Sequence, residues 1–188
     1  AQIEASCRGA KPNAAHRLIA ALEQEKALVC VLTQHVDGLH RAAGSRNVIE
    51  IHGTVHRLHC MSCGQGRRVE DYAGLSIPPE CPRCGGILRP DVVLFGEALP
   101  ELAIERLESV LSQGMDAVVS IGTTSVFPYI AGPVLWAARE GTPTVEINPG
   151  DTQVSQFVDH RLRMCAAEAL PELWWRMHPA DPAEDRGW

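Results

Sequence analysis

The chain has 188 residues with a formal net charge of −6, and 45% of its residues are hydrophobic. This length fits one domain, or one domain with a small inserted module, and it allows a substantial hydrophobic core. The acidic balance disfavours a general affinity for nucleic acid or for anionic membranes, so we expect neither as a partner. No apolar run approaches the roughly 20 residues that a membrane-spanning helix needs.

Helical and extended patterns alternate along the chain. Pro12-Asn13 favours the start of a helix with Leu18 and Leu22 on its apolar face. The apolar run 27–33 then indicates a buried strand of a parallel sheet. Further predicted elements are an extended stretch at 89–96, helices at 102–111, 128–140 and 166–177, and strands at 117–122 and 144–148. This alternation favours an α/β fold with right-handed crossovers between parallel strands.

Four of the seven cysteines form two closely spaced pairs. Two residues separate Cys60 from Cys63 and Cys81 from Cys84, and 17 residues lie between the pairs. This spacing is typical of a four-cysteine zinc ribbon, with two disulfides or a redox pair as the alternatives. Four thiolates leave no open coordination position, so we expect one structural Zn²⁺ and chemistry elsewhere. The odd number of cysteines favours a reducing compartment, and the cytoplasm is the expected location.

Short polar motifs follow the predicted strands in a fixed order. They are TQHVDGLH at 33–40, AGS at 43–45, HG at 52–53, VLFGE at 93–97, GTTS at 122–125 and IN at 147–148. Each motif alone is a common turn or cap. Together, in this order and around the two cysteine pairs, they resemble the sirtuin family of NAD-dependent protein-lysine deacylases, bacterial type. The resemblance covers residues 11–173.

This resemblance implies a particular fold and domain organisation. The fold would be α/β, a Rossmann-like parallel sheet with a small inserted four-cysteine zinc-ribbon module. We expect the Rossmann-like NAD-binding domain to comprise residues 1–53 and 89–178. The zinc module would occupy 54–88, and a mobile tail would follow at 179–188. In sirtuins, NAD and an extended acyl-lysine peptide meet in the cleft between the two domains.

The resemblance also implies roles for individual residues. The acyl oxygen would attack C1′ of the nicotinamide ribose, and His52 would then act as general base on the ribose hydroxyls. The products would be lysine, nicotinamide and O-acyl-ADP-ribose. The matching NAD-binding positions are Gln34, His35, Asp37, Gly122, Thr123, Thr124, Ser125, Asn148, Cys165 and Ala166. The acyl-lysine substrate would contact Val93, Leu94, Phe95 and Gly96, and Zn²⁺ would be bound by Cys60, Cys63, Cys81 and Cys84.

The sequence departs from the family pattern in three places. His35 stands where sirtuins usually have asparagine, so it either donates a hydrogen bond in that pocket or slows the reaction. Thr124 replaces a more common serine and keeps the hydroxyl. The GAGxS turn and the flexible loop that usually precede this region are not in the sequence. We therefore expect a fragment or a truncated gene that binds NAD poorly, and acyl-chain preference is not predicted, since the Tyr-x-x-Arg region is also missing.

Two alternatives to a deacylase are open at this point. The first is a non-catalytic sirtuin-like binding module, which would use its zinc ribbon and substrate strand as an interaction surface, or else an inactive fragment. The second is a protein ADP-ribosyltransferase, in which the same NAD site would serve another acceptor. The retained His52, Gln34 and Asp37 oppose the first alternative. The sequence does not predict the oligomeric state.

Overall fold

The computed structural model describes residues 2–179, so residues 180–188 of the predicted mobile tail lie outside the described residues. The chain divides into two compact units. The first contains the chain up to Lys11 and Val29–Leu107, and the second contains Pro12–Leu28 and the chain from Glu108 onward. These limits differ from the predicted domain boundaries at 53/54 and 88/89, which stay a prediction.

The helices and strands that the sequence predicts are present, and further elements lie between them. In chain order the elements are α1 (Gln2–Cys7), α2 (Ala14–Glu25), β1 (Val31–Thr33), α3 (Leu39–Ala42), β2 (Val48–Glu50), β3 (Gly53–Cys60), β4 (Gly66–Arg68), β5 (Leu88–Val92), α4 (Glu101–Ser112), β6 (Val118–Ile121), α5 (Pro128–Glu140), β7 (Thr144–Ile147), β8 (His160–Leu162) and α6 (Ala166–Met177). No helix in the described part of the chain is both long and apolar enough to span a membrane.

The first unit combines a parallel pair of strands with an antiparallel sheet. β1 and β2 are parallel, with Val31 opposite Val48 and Thr33 opposite Glu50. The antiparallel sheet has the order β4-β3-β5. A hydrophobic cluster that includes Leu58 and Tyr72 packs against it, and the buried Cys60 and Cys81 belong to the same cluster. The metal module is therefore built on a small core of its own.

The second unit is a three-stranded parallel sheet flanked by helices. Its strands have the order β6-β7-β8. Helix α2 begins as predicted, because Asn13 caps it and accepts a hydrogen bond from the His16 N–H. The core of this unit contains Leu18 of α2, Ile147 of β7 and Trp174 of α6, all less than 3% exposed. The predicted α/β class with parallel sheets is confirmed.

Candidate active site and metal centre

The two cysteine pairs lie on two similar turns. In the first turn the Gly64 N–H donates to the Cys60 carbonyl at 3.0 Å, and in the second the Gly85 N–H donates to the Cys81 carbonyl at 2.8 Å. Both glycines have left-handed backbone, with φ of 70° and 72°, which side chains with a Cβ adopt only at a cost. The Sγ atoms of the four cysteines lie within 4.8 Å of one another.

Electrostatics around the four thiols favour a bound cation. Hydrogen bonds from the backbone N–H groups of Cys63 and Ser62 lower the pKa of the Cys60 thiol to about 6. The Gly86 N–H lowers the pKa of Cys84, but the neighbouring cysteine side chains outweigh it and raise this pKa to about 12. Thiolates so close together repel one another, and a divalent cation relieves that repulsion. The donor set fits one structural Zn²⁺ with all four positions filled.

The His52-Gly53 step joins β2 to β3 and is fixed by a close backbone approach. A Cβ on Gly53 would lie 1.9 Å from the Asp91 carbonyl oxygen, and its φ is +75°. The His52 carbonyl accepts a hydrogen bond from the Val93 N–H at 3.0 Å. Position 53 therefore needs glycine, and the half-buried His52 is attached directly to the start of the predicted substrate segment.

The loop that follows β1 starts at the same edge of the sheet as His52. Thr33 and Glu50 end their parallel strands side by side, and the Ile51 N–H donates to the Thr33 carbonyl at 3.0 Å. Gln34 directly follows β1 and His52 is the second residue after β2, so both segments leave the sheet at one edge, where α/β sheets bind their ligands.

Asp37 organises this loop through both oxygens of its carboxylate. Oδ1 accepts a hydrogen bond from the Leu39 N–H at 3.0 Å, which begins α3. Oδ2 lies 3.3 Å from Nδ1 of His35. The His35 side chain is 71% exposed, whereas that of Asp37 is 15% exposed. The histidine that replaces the family's usual asparagine is thus paired with the neighbouring acid, with most of its ring accessible.

The predicted substrate segment is a turn and not a strand. Strand β5 ends at Val92, and the Glu97 N–H closes a turn by donating to the Leu94 carbonyl at 3.0 Å. The strand ends here because the Leu94 N–H donates to Oε2 of Glu97 at 2.9 Å, which removes that donor from any sheet ladder. Phe95 at the tip is 97% exposed.

Arg89 holds Glu97 in this position through a two-point ion pair. Its Nη1 and Nη2 atoms lie 2.7 and 2.9 Å from the two carboxylate oxygens, and Nη2 also donates to the Val92 carbonyl. The pKa of Glu97 is lowered to about 2, mainly by the hydrogen bond from Arg89 and next by that from the Leu94 N–H. The pair braces the turn that presents Val93, Leu94, Phe95 and Gly96.

We expect Glu97→Gln to raise the KM for an acyl-lysine peptide about tenfold and leave the KM for NAD unchanged, because it removes the charge that Arg89 binds. The pKa of Glu97 is lower in the folded chain than in the unfolded chain, so its ion pair with Arg89 stabilises the turn fully above the ordinary carboxylate pKa. It is lost only as the pH falls toward about 2. The wild-type peptide KM should therefore show no titration by this group between pH 5 and 9.

Steady-state kinetics on an acetyl-lysine peptide measure this effect. Glu101→Gln is the matched control, since Glu101 is an exposed acid in the first turn of α4. Equal peptide KM values for Glu97→Gln and the control would contradict the role of the ion pair.

In the second unit, residues 122–125 form a tight turn after β6. Gly122 has a φ of +61°, and Ser125 has a φ of +54°, the one positive φ among the non-glycine residues of the described range. The Ser125 side chain is buried, and its Oγ has no hydrogen-bond partner among the described residues. Strain and an unsatisfied buried hydroxyl on one residue are typical of a ligand-binding turn.

Asn148 follows β7 and is bonded to this turn. Its Nδ2 donates to the Thr123 carbonyl at 3.1 Å, and its Oδ1 accepts from the Gly150 N–H at 3.0 Å. Cys165 and Ala166 stand at the start of α6, just beyond β8. The ends of three parallel strands thus bring Gly122–Ser125, Asn148 and the Cys165-Ala166 step to one edge of the sheet.

A buried acid beneath Asn148 was not among the predicted site residues. Burial raises the pKa of Glu146, but hydrogen bonds from Thr152, Ser155 and Arg161 outweigh it, and the net pKa is lowered. The Arg161 Nε lies 2.8 Å from the carboxylate, which is 1% exposed. The sequence gives one signal of this buried acid, which is a charged residue inside the apolar strand 144–147. Burial of an unpaired acid there would be costly, so a partner is expected.

Several known proteins resemble this chain in sequence. A model of the Sir2 family matches residues 2–128. The NAD-dependent protein deacylase 2 of Pseudomonas aeruginosa is 46% identical over 176 residues, which cover 92% of this chain and 69% of the relative. The protein of the same name from Pseudomonas syringae pv. tomato is 48% identical, with 92% of this chain and 71% of the relative covered.

Solved structures of Sir2 proteins resemble the fold closely. A Sir2 homologue in complex with NAD has a TM-score of 0.85 and 38% identity, covering 92% of this chain and 67% of its own. A Sir2 structure with a p53 peptide and NAD⁺ has a TM-score of 0.83 and 32% identity, covering 93% of this chain and 74% of its own.

Proposed function

Since the chain belongs to the Sir2 family, we propose that it is an NAD-dependent protein-lysine deacylase. The observation that carries this proposal is the placement of His52. It follows β2 at the sheet edge where β1 also ends before Gln34, and its carbonyl is bonded to Val93 of the substrate segment. One histidine is thereby fixed between residues proposed for NAD and residues proposed for the peptide.

His52 acts as the general base in this proposal. An imidazole suits the role because its ordinary pKa lies near neutral pH. It takes a proton from a ribose hydroxyl after the acyl oxygen has displaced nicotinamide from C1′. One water molecule then completes the transfer of the acyl group from lysine to the ribose, and the products are free lysine, nicotinamide and O-acyl-ADP-ribose. The zinc ion would take no part in these steps, because its four cysteine ligands leave no position for a substrate.

The remaining candidates bind the two substrates. Positions proposed for NAD are Gln34, His35, Asp37, Gly122, Thr123, Thr124, Ser125, Asn148, Cys165 and Ala166. The unsatisfied Oγ of Ser125 supports the assignment of that turn. Val93, Leu94, Phe95 and Gly96 would bind the peptide backbone and acyl chain. With its unbridged cysteines the protein would work in the reducing cytoplasm.

An assay with acetyl-lysine and succinyl-lysine peptides tests the proposal. We expect loss of the acyl group, followed by mass spectrometry, to require NAD and to fall by at least a hundredfold in His52→Ala. His160→Ala is the control, because His160 is exposed on β8 and has no proposed role. A folded, zinc-loaded chain that turns over neither peptide would contradict the enzyme assignment and favour a non-catalytic binding module. ADP-ribosylated protein in place of deacylated peptide would favour a transferase.

A further inference from the structure

His56 of β3 joins two segments that are distant in sequence. Its Nε2 lies 3.0 Å from the Asp37 carbonyl oxygen, and its Nδ1 lies 2.8 Å from the Glu70 carbonyl oxygen. Carbonyl oxygens only accept hydrogen bonds, so a ring nitrogen bonds one of these carbonyls only when it carries a proton. A ring with a proton on each nitrogen donates both bonds at once, and a neutral ring donates one. The role of this residue in a site is not apparent from any sequence motif.

The loop that His56 contacts is the one that carries three of the proposed NAD-binding residues. Two further bonds attach this loop to β3, because the Val36 carbonyl accepts from the Val55 N–H at 3.0 Å and from the Thr54 hydroxyl at 3.5 Å. The ring of His56 also packs on Gly38, where a Cβ would lie 3.1 Å from its Cδ2. The bond from His56 to the Asp37 carbonyl therefore attaches one more residue of this loop to β3.

The other end of the bridge belongs to the metal module. The Glu70 carbonyl precedes Tyr72 by two residues, and Tyr72 is a buried member of the core cluster that contains Cys60 and Cys81. The Val69 N–H donates to the His56 carbonyl at 3.0 Å, so main chain and side chain of His56 hold the same segment. The His56 imidazole therefore connects the segment next to the zinc-stapled core directly to the Asp37 carbonyl, beside the two bonds that β3 makes to Val36.

We propose that His56 is a positioning residue for the NAD site, which holds the loop of Gln34, His35 and Asp37 in place by bonding the carbonyls of Asp37 and Glu70. This inference rests on the proposed function. It adds a route by which the integrity of the zinc module sets the affinity for NAD. The nitrogen that matters for NAD is Nε2, since it bonds the loop itself.

Two polar replacements separate the two ring nitrogens. The amide of His56→Gln places its NH₂ group near the position of Nε2 and can bond Asp37, whereas that of His56→Asn places it near Nδ1 and can bond Glu70. His56→Phe keeps the ring on Gly38 and removes both donors. We expect His56→Phe and His56→Asn to raise the KM for NAD about tenfold, the effect of one lost hydrogen bond. His56→Gln should stay within about threefold, and the peptide KM should not change in any of them.

Two measurements that need no turnover accompany the kinetics. Calorimetric Kd values for NAD should follow the same order as the KM values. Amide hydrogen exchange should be faster in His56→Phe and His56→Asn for residues 36–42, where the Leu39 and Ala42 N–H groups are bonded. Zinc content of one ion per chain, measured colorimetrically, establishes that each variant has kept its metal module, and His160→Phe serves as the control.

The outcomes separate this inference from the proposed function. Unchanged NAD affinity in His56→Phe, or equal NAD affinity in the asparagine and glutamine variants, would overturn the inference while deacylation by the wild type stands. A wild-type chain that binds NAD in a His56-dependent way without deacylating peptides would overturn the proposed function alone. A wild-type chain that binds no NAD would overturn both.

Discussion

Gly53→Ala is expected to lower the free energy of unfolding by about 3 kcal/mol and to abolish NAD-dependent deacylation. The new Cβ would overlap the Asp91 carbonyl oxygen at 1.9 Å, and a backbone atom in a paired strand cannot move aside cheaply. The pairing of Gly53 with Val92 would then open. His52 would lose its bond to the Val93 N–H, which follows that pair. Urea unfolding and the peptide assay measure the two effects.

Gly74→Ala is the matched control for this substitution. Gly74 lies in the same unit and has nearly the same left-handed φ, +74° against +75°, but no atom stands within 4 Å of its added Cβ. Gly74→Ala therefore has the same cost of placing alanine at a left-handed φ, but no collision of the new Cβ with a backbone atom. Equal destabilisation of the two variants would show that the close approach of the Asp91 carbonyl is not the reason that position 53 requires glycine.

Cys81→Ser is expected to release the zinc ion and unfold the antiparallel sheet of the first unit. Structural zinc contributes apparent binding free energies on the order of 10 kcal/mol, which is comparable with the whole stability of a typical domain. Cys81 is also 3% exposed and packs in the core cluster with Leu58 and Leu88. The substitution thus removes a ligand and places a hydroxyl in an apolar site. Zinc content and amide exchange over β3 to β5 would report the change.

Cys165→Ser is the control for zinc content, because Cys165 is exposed and lies outside the cluster. It should retain one zinc ion per chain and the exchange pattern of the wild type. A Cys81→Ser chain that kept its zinc and the slow exchange of β3 would contradict the four-cysteine site.

The sequence predicts those features that depend on local patterns. Helix α2 begins after Asn13 because that side chain caps it, and α5 ends at Gly141 because that residue adopts the left-handed conformation. The spacing of the cysteines predicts the metal cluster for the same reason, since each pair closes its own short turn. The family motifs supply the roles of His52 and the NAD positions, and these assignments stay a prediction.

Other features depend on contacts between distant residues, which no local pattern encodes. The predicted extended stretch 89–96 ends at Val92, because the Glu97 side chain, held by Arg89, takes the Leu94 N–H. His56 reads as an ordinary surface or packing histidine until the carbonyls of Asp37 and Glu70 are seen on either side of it. Glu146 is tolerated in its buried strand because Thr152, Ser155 and Arg161, which lie 6 to 15 residues later, all bond its carboxylate.

The identity of the reaction products distinguishes NAD-dependent deacylation from every other interpretation of this site. The wild-type chain, loaded with zinc, would be incubated with an acetyl-lysine peptide and NAD, and all products would be quantified by mass spectrometry. We expect one nicotinamide and one O-acetyl-ADP-ribose for every lysine freed, and at least a hundredfold less lysine and O-acetyl-ADP-ribose from His52→Ala. Lysine freed without consumption of NAD, or NAD consumed with the acetyl group still on the peptide, would contradict NAD-dependent deacylation.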